Sequence, residues 1–216
     1  MTHIDEECRE RREQAAYFMR RLYRQGLTTC SGGNLSVRCG NRYVLITPSG
    51  LDKGELQGEQ IAILTPEGEN LTPRLKTSIE TEMHLMVLKA RPDVSAVVHA
   101  HPVTASSFAA MERPIDCRLT AEAYAVLGTP AYAPYALMGT RGLAEVVAES
   151  AKKSDAVVMQ NHGVLTVGTS LLEAFDRMEL LEAAARMTWI AESMRCARPM
   201  TEEMLKEIDD KLGRRR

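Results

Sequence analysis

The segment AVVHAH, residues 96–101, constrains this chain more than any other stretch. A short apolar run is typical of a buried strand, in which side chains two positions apart point to the same face. His99 and His101 therefore present their rings together, about 7 Å apart along the strand. The pair is either two core histidines, each bonded to a backbone carbonyl, or two ligands of one metal ion, and the spacing alone leaves both interpretations open.

A third histidine lies in the turn sequence Gln160-Asn161-His162-Gly163, between two apolar segments, where a side chain can face a cleft. Three imidazoles with one open coordination position are the usual arrangement of a catalytic zinc site. The spacing does not establish that His162 meets the other two rings.

The rest of the chain alternates between strand and helix patterns, which predicts one mixed α/β domain over residues 1–216, with helices packed on a sheet. Strand patterns cover residues 35–38, 43–47, 61–65 and both sides of the turn within 155–168. Helical patterns cover residues 5–25, 77–91, 120–127, 140–152 and 170–195, with a Pro/Tyr-rich connection at 130–135.

Composition excludes several classes of protein. A hydrophobic fraction of 44%, a charged fraction of 26% and a net charge of -2 indicate an ordinary globule with no nucleic-acid partner. No apolar run approaches the roughly 20 residues that cross a bilayer, and the amino terminus has no apolar signal segment. Five cysteines without a C-x-x-C pair indicate no disulfide scaffold, so we expect a cytoplasmic protein with no membrane partner.

Glu80 shares a helical face with His84 through their i, i+4 spacing, which favours it as a functional carboxylate over Glu82, expected to be solvated. The alternative is structural, because Thr77-x-x-Glu80 is also a capping box. The turns Gly33-Asn34 and Ser49-Gly50, with a helix start near Ser78, would together hold a phosphate, although each is also an ordinary turn. No nucleotide-binding motif is present.

Five motifs in order, "SGGNLSVR", "ITPSG", "SIETEMHLMVLKARPDVSAVVHAHP", "APYALMGT" and "QNHG", resemble the class II aldolase/adducin family over about residues 10–195, in its L-fuculose-1-phosphate aldolase-like branch. The resemblance implies a three-layer α/β/α fold around a mostly antiparallel sheet. It also implies a homotetramer with active sites at the subunit interfaces.

The resemblance further implies roles for individual residues. Zinc, or Mn²⁺ or another divalent ion, would be bound by His99, His101 and His162. Glu80 would be the acid/base, and burial near the substrate is expected to raise its pKa towards neutrality. The predicted phosphate ligands are Gly33, Asn34, Ser49, Gly50 and Ser78.

Two departures from the family pattern concern the substrate. Ile79 stands where a second small hydroxyl residue is common. This change removes a hydrogen-bond donor to the phosphate or makes that side of the phosphate site apolar. Thr120 stands where the family has the tyrosine that protonates the leaving aldehyde, and a carboxyl-terminal tyrosine is also missing. Tyr124 and Glu122 are nearby candidates for this proton donor.

The resemblance predicts a lyase of carbohydrate metabolism. It would be an aldolase that cleaves a ketose 1-phosphate, such as L-fuculose-1-phosphate or a related deoxy-ketose phosphate, to dihydroxyacetone phosphate and an aldehyde through a metal-stabilised enediolate. Alternatives within the family are decarboxylation of a 3-oxo-tetronate phosphate and dehydration of methylthioribulose phosphate. A non-catalytic interaction module, as in the adducin head, is the alternative from another class.

Overall fold

Seven strands form the centre of the protein in the computed structural model, which describes residues 3–111 and 113–214. They are β1 (Asn34–Cys39), β2 (Tyr43–Ile46), β3 (Ala62–Leu64), β4 (Ala96–Ala100), β5 (Ala131–Ala133), β6 (Ala156–Met159) and β7 (Gly163–Gly168). Their order across the sheet is β3-β2-β1-β4-β7-β6-β5. Every neighbouring pair is antiparallel except β5 and β6, so the predicted mostly antiparallel sheet is confirmed.

Helices cover both faces of this sheet. They are α1 (His3–Arg24), α2 (Thr81–Ala90), α3 (Val103–Ala109), α4 (Ala121–Leu127), α5 (Arg141–Ala151), α6 (Leu171–Ser193) and α7 (Glu202–Leu212). Within the described residues, none of them combines the length and the apolarity needed to cross a membrane.

Alternation along the strands divides the core in two. On β4, Ala96, Val98 and Ala100 pack with α1, α3 and α6, whereas Val97 packs with α2 and α5. We call the first side of the sheet the α6 face and the second the α2 face. Two helical layers around one sheet confirm the predicted three-layer α/β/α fold.

Strand register determines which polar residues meet on the α2 face. Asn34 lies directly opposite His99 in the β1–β4 pair. Ser36 lies two residues further along β1 and therefore on the same side as Asn34. In the β4–β7 pair Ala100 lies opposite Val164, which brings the β6–β7 turn beside the end of β4.

Three elements differ from the prediction. The helix expected from residue 77 begins at Thr81, because the Ser78 hydroxyl accepts from Glu80 N at 3.2 Å and forms a turn before it. The connection at 130–135 contains β5, a strand of three residues. Helix α7 follows the last predicted helix, and its cap Thr201 accepts from Met204 N.

Candidate active site

Three histidines meet at one end of the sheet. His99 lies near the end of β4, His101 follows that strand, and His162 lies in the β6–β7 turn. The ring centroids of His99 lie 4.6 Å from His101 and 4.9 Å from His162, and the last two are 5.6 Å apart. One nitrogen from each ring lies within 4.8 Å of the others. The fold thus brings together the rings that the sequence placed in two separate groups.

The backbone of the β6–β7 turn explains how His162 reaches the other rings. Asn161 adopts a φ of 55°, the left-handed conformation that asparagine tolerates better than most residues. A Cβ on Gly163 would lie 2.6 Å from the His101 ring and 2.7 Å from the Ala100 carbonyl. Only glycine fits there, because any side chain would push the turn away from β4.

The donor set of the three rings fits a divalent cation. His99 Nδ1 donates to the Val164 carbonyl at 2.9 Å, which leaves Nε2 with a free lone pair. His99 Nε2 and His162 Nδ1 are buried without a hydrogen-bond partner among the described residues. Burial lowers the pKa of His99, and burial with the neighbouring rings lowers the pKa of His101 to about 3. Neutral rings with unused nitrogens are the form in which histidine binds metals.

Glu80 lies against the same cluster. Its carboxylate oxygens are 3.3 Å from His99 Nε2 and 3.0 Å from His162 Nε2, and the Asn34 amide donates to it at 2.7 Å. Glu80 occupies the cap position of α2, but its side chain makes no capping hydrogen bond. The capping-box alternative is therefore wrong, because the carboxylate points to the histidines instead of the helix start.

The pKa of Glu80 differs from the expected direction. Burial raises the pKa of this carboxyl, as expected, but the adjacent His99 and the close contacts with His162 and Asn34 outweigh burial. The net result is a pKa well below its usual range. In this arrangement Glu80 is a carboxylate that accepts hydrogen bonds, as a proton acceptor must be.

A buried polar network lies behind Glu80, and sequence reasoning missed most of it. Asn34 uses its NH₂ group for Glu80 and for the Ser78 hydroxyl at 3.0 Å, so its carbonyl oxygen must accept from His84 Nε2 at 2.5 Å. His84 Nδ1 then accepts from the Ser36 hydroxyl at 2.8 Å. Burial lowers the pKa of His84 to about 3, so its ring is neutral. The Glu80–His84 spacing was the only signal of this network in the sequence.

The predicted phosphate ligands lie in adjoining segments. Asn34 bonds directly to Ser78, and the turn containing Ser49 is joined to the segment before Ser78 through a bridge between Pro48 and Thr77. Gly50 has a φ of 74° and open space around it. The helix terminus expected to help at Ser78 lies at Thr81 instead.

The residues linked to substrate specificity lie in three places. Tyr124, on α4, donates from its hydroxyl to Asp209 of α7 at 2.9 Å. Two clefts among the described residues are lined by Tyr124, and neither is lined by any of the three histidines. In these clefts Tyr124 therefore does not meet the histidine cluster of its own chain. Thr120 caps α4 by accepting from Ala123 N. Ile79 is 59% exposed between Ser78 and Glu80.

Comparison with known proteins identifies the family of this chain. A family model described as "Class II Aldolase and Adducin N-terminal domain" matches residues 13–189. An L-fuculose phosphate aldolase of Methanococcus maripaludis is 34% identical over 176 residues, which are 82% of this chain and 94% of that protein. A 3-oxo-tetronate 4-phosphate decarboxylase of Haemophilus influenzae is 31% identical, with 89% and 92% coverage.

A solved structure of an L-fuculose 1-phosphate aldolase is also similar. It superposes on this chain with a TM-score of 0.84 at 28% identity. The match covers 94% of this chain and 95% of that one.

Proposed function

Since the chain belongs to the class II aldolase and adducin family, we propose that it is a divalent-metal-dependent aldolase that cleaves a ketose 1-phosphate to dihydroxyacetone phosphate and an aldehyde. The observation that carries this proposal is the convergence of three imidazoles and one carboxylate in a single cluster. A non-catalytic module would have no need for such a cluster, because polar atoms that are buried without a hydrogen-bond partner, such as His99 Nε2 and His162 Nδ1, are costly.

The three rings of His99, His101 and His162 would hold the ion, with zinc as the first candidate and manganese as the second, since imidazole suits several divalent metals. The bound ion would supply Lewis acidity for the negative charge that develops on the substrate oxygens. The hydrogen bond from His99 to Val164 would keep its other nitrogen aimed at the ion.

After the C3–C4 bond breaks, Glu80 in its protonated form would deliver a proton to C3, and in the reverse direction its carboxylate would remove that proton. Asn34 donates to the carboxylate and is itself held by His84, so the carboxylate would stay in place as the substrate binds. The phosphate would lie on Gly33, Asn34, Ser49, Gly50 and Ser78.

When the C3–C4 bond breaks, the C4 hydroxyl has to lose its proton as the aldehyde forms, and in the reverse direction the aldehyde oxygen has to be protonated. This proton transfer would need a separate residue. We assign it to Tyr124, which would have to come from a second subunit, in keeping with a homotetramer that has its active sites at subunit interfaces. The five free cysteines support a cytoplasmic location. The single-domain organisation over residues 1–216 stays a prediction.

A panel of ketose 1-phosphates tests the aldolase proposal. The zinc-loaded and manganese-loaded proteins would be assayed with fuculose, rhamnulose, ribulose and 5-deoxyribulose 1-phosphates through a coupled readout for dihydroxyacetone phosphate. We expect one of them to be cleaved at a rate that depends on the ion. Absence of dihydroxyacetone phosphate from every member of the panel would contradict the proposal.

Decarboxylation of a 3-oxo-tetronate phosphate is the second candidate. It is favoured by the similarity of the Haemophilus influenzae decarboxylase over 89% of this chain. The exposed Ile79, in the place of a phosphate-binding hydroxyl, also fits a substrate other than that of the fuculose enzyme. Release of CO₂ from the sugar-acid phosphate, without dihydroxyacetone phosphate from the panel, would establish this reaction instead.

A further inference from the structure

Lys53 lies between two segments of the proposed phosphate site. Only 1% of this residue is exposed. Its backbone N–H donates to the Cys30 carbonyl at 2.8 Å, just before the turn that contains Gly33. Its ammonium donates to the carbonyl of Pro48, next to Ser49. One residue therefore joins both segments.

The charge of Lys53 has no counter-charge in the part of the chain that the structure describes. Its ammonium bonds to a neutral carbonyl, and burial lowers the pKa of Lys53 to about 8 with no acidic side chain acting against burial. A buried ammonium without an anion is unfavourable. A buried ammonium of this kind is expected where an anionic ligand compensates for its charge.

The turn beside Lys53 needs additional positive charge to hold a phosphate. The Ser49 N–H already donates to the Lys76 carbonyl at 2.8 Å, so it is not free for a ligand. The Ser49 hydroxyl and the open Gly50 N–H are neutral donors, which are weaker than charged ones towards a dianion. The ammonium of Lys53 bonds to the carbonyl of Pro48, the residue just before these two donors.

We propose that Lys53 is a positioning residue of the phosphate site: through the Pro48 carbonyl it holds the Ser49-Gly50 turn, and its buried charge complements a bound phosphate dianion. The inference rests on the phosphate site of the proposed function and adds a residue to it. It applies equally to a ketose phosphate and to a sugar-acid phosphate.

Calorimetric titration of inorganic phosphate into the metal-loaded protein tests the charge. Lys53→Met keeps the length of the side chain and removes the ammonium, and Lys206→Met removes the same charge from an exposed position on α7. We expect the affinity to fall about tenfold or more in Lys53→Met and to stay unchanged in Lys206→Met. Equal affinities of Lys53→Met and the parent protein would overturn the inference. No phosphate binding by the parent protein would overturn the proposed phosphate site as well.

Kinetics separate this role from a purely structural one. For the ketose 1-phosphate that the panel selects, Lys53→Met should raise KM about tenfold and change kcat less than about threefold, because the charge acts on phosphate binding. Lys53→Met should cleave the same ketose without its phosphate at the slow rate of the parent protein. A parallel loss with both substrates would mean that Lys53 only supports the fold.

A measurement on the unaltered protein avoids any folding defect of the variant. Nuclear magnetic resonance of ¹⁵N-labelled lysine reports the pKa of each ammonium. We expect inorganic phosphate to raise the pKa of Lys53 and to leave that of Lys206 unchanged. A Lys53 pKa that does not move on saturation with phosphate would contradict the proposal.

Discussion

The two faces of the central sheet are built from the same strands but differ in chemistry. On the α6 face, Phe175 and Met178 are fully buried in an apolar core. On the α2 face, Ser36 and His84 are equally inaccessible, yet they form one hydrogen-bonded network with Asn34 and Glu80, and the buried His99 lies against Glu80. Beside the apolar core of the α2 face there is therefore a buried region that is polar.

The difference indicates that the two faces have different roles, one in stability and one in catalysis. Apolar packing on the α6 face contributes to stability through burial, whereas polar groups on the α2 face are worth little net stability even when satisfied. Substitutions on the two faces should consequently separate folding from catalysis. Four experiments test this separation.

The largest effect is expected for Glu80→Gln on the α2 face. Turnover should fall about a thousandfold or more, because the amide can neither deliver nor remove the proton at C3, while the three histidines still bind the ion. Steady-state kinetics and metal analysis measure the two quantities. The control is Glu82→Gln, which changes an exposed acid two residues away and should leave turnover unchanged. Comparable turnover in Glu80→Gln and Glu82→Gln would refute the role of Glu80.

The next effect is expected on the α6 face, from Phe175→Ala. The centroid of the buried Phe175 ring lies 5.3 Å from that of the Phe18 ring. Loss of the Phe175 ring should lower the free energy of unfolding by about 3 kcal/mol. Denaturant titration checks this, with the exposed Leu172→Ala on the same helix as a control. Turnover of the folded variant should be that of the parent protein. A large loss of turnover at unchanged stability would reverse the assignment of the two faces.

Removal of the divalent ion should have a smaller effect on stability. If the ion is present at about a hundredfold above its Kd, a chelator should lower the free energy of unfolding by about 3 kcal/mol or less, and the ion should restore it. Combined with Phe175→Ala, the two losses should add to within about 0.5 kcal/mol, because they act on opposite faces. A chelator that leaves the unfolding curve unchanged would argue against an ion at the histidines.

The smallest effect is expected for Ser36→Ala, which removes the hydrogen bond to His84 and leaves Nδ1 unsatisfied. The loss should be about 1 kcal/mol of stability, accompanied by reduced turnover because Asn34 and Glu80 are less firmly held. The matched change on the α6 face is Thr166→Val, which removes a buried hydroxyl bonded to the Ala174 carbonyl. Thr166→Val should leave turnover unchanged, and equal kinetic effects of the two variants would contradict the separation.

Much of the fold could be predicted from the sequence, because apolar periodicity reports which side of an element is buried. The periodicity placed the strand with His99 and the helices α5 and α6. It failed at β5, because three residues cannot establish an alternation between faces. It also failed at the start of α2, where the Ser78 hydroxyl makes a turn that competes with the helix.

Site residues with distinctive chemistry could be predicted from the sequence. Residues whose role depends on tertiary contacts could not. Three histidines and Glu80 stood out, and they do lie together. The burial of Lys53 could not be foreseen, because lysine is almost always exposed and its neighbours gave no periodic signal. Likewise, the hydrogen bond of Tyr124 to Asp209 joins residues 85 positions apart.

The short outer strands limit how copies of this chain can associate. Both ends of the sheet, β3 and β5, have only three residues. On β3, the backbone of Ile63 already donates to Thr72 and accepts from Leu71, so its free side is occupied by the chain itself. Such edges resist strand-by-strand growth into fibrils. An assembly of copies of this chain would therefore not extend the sheet through β3.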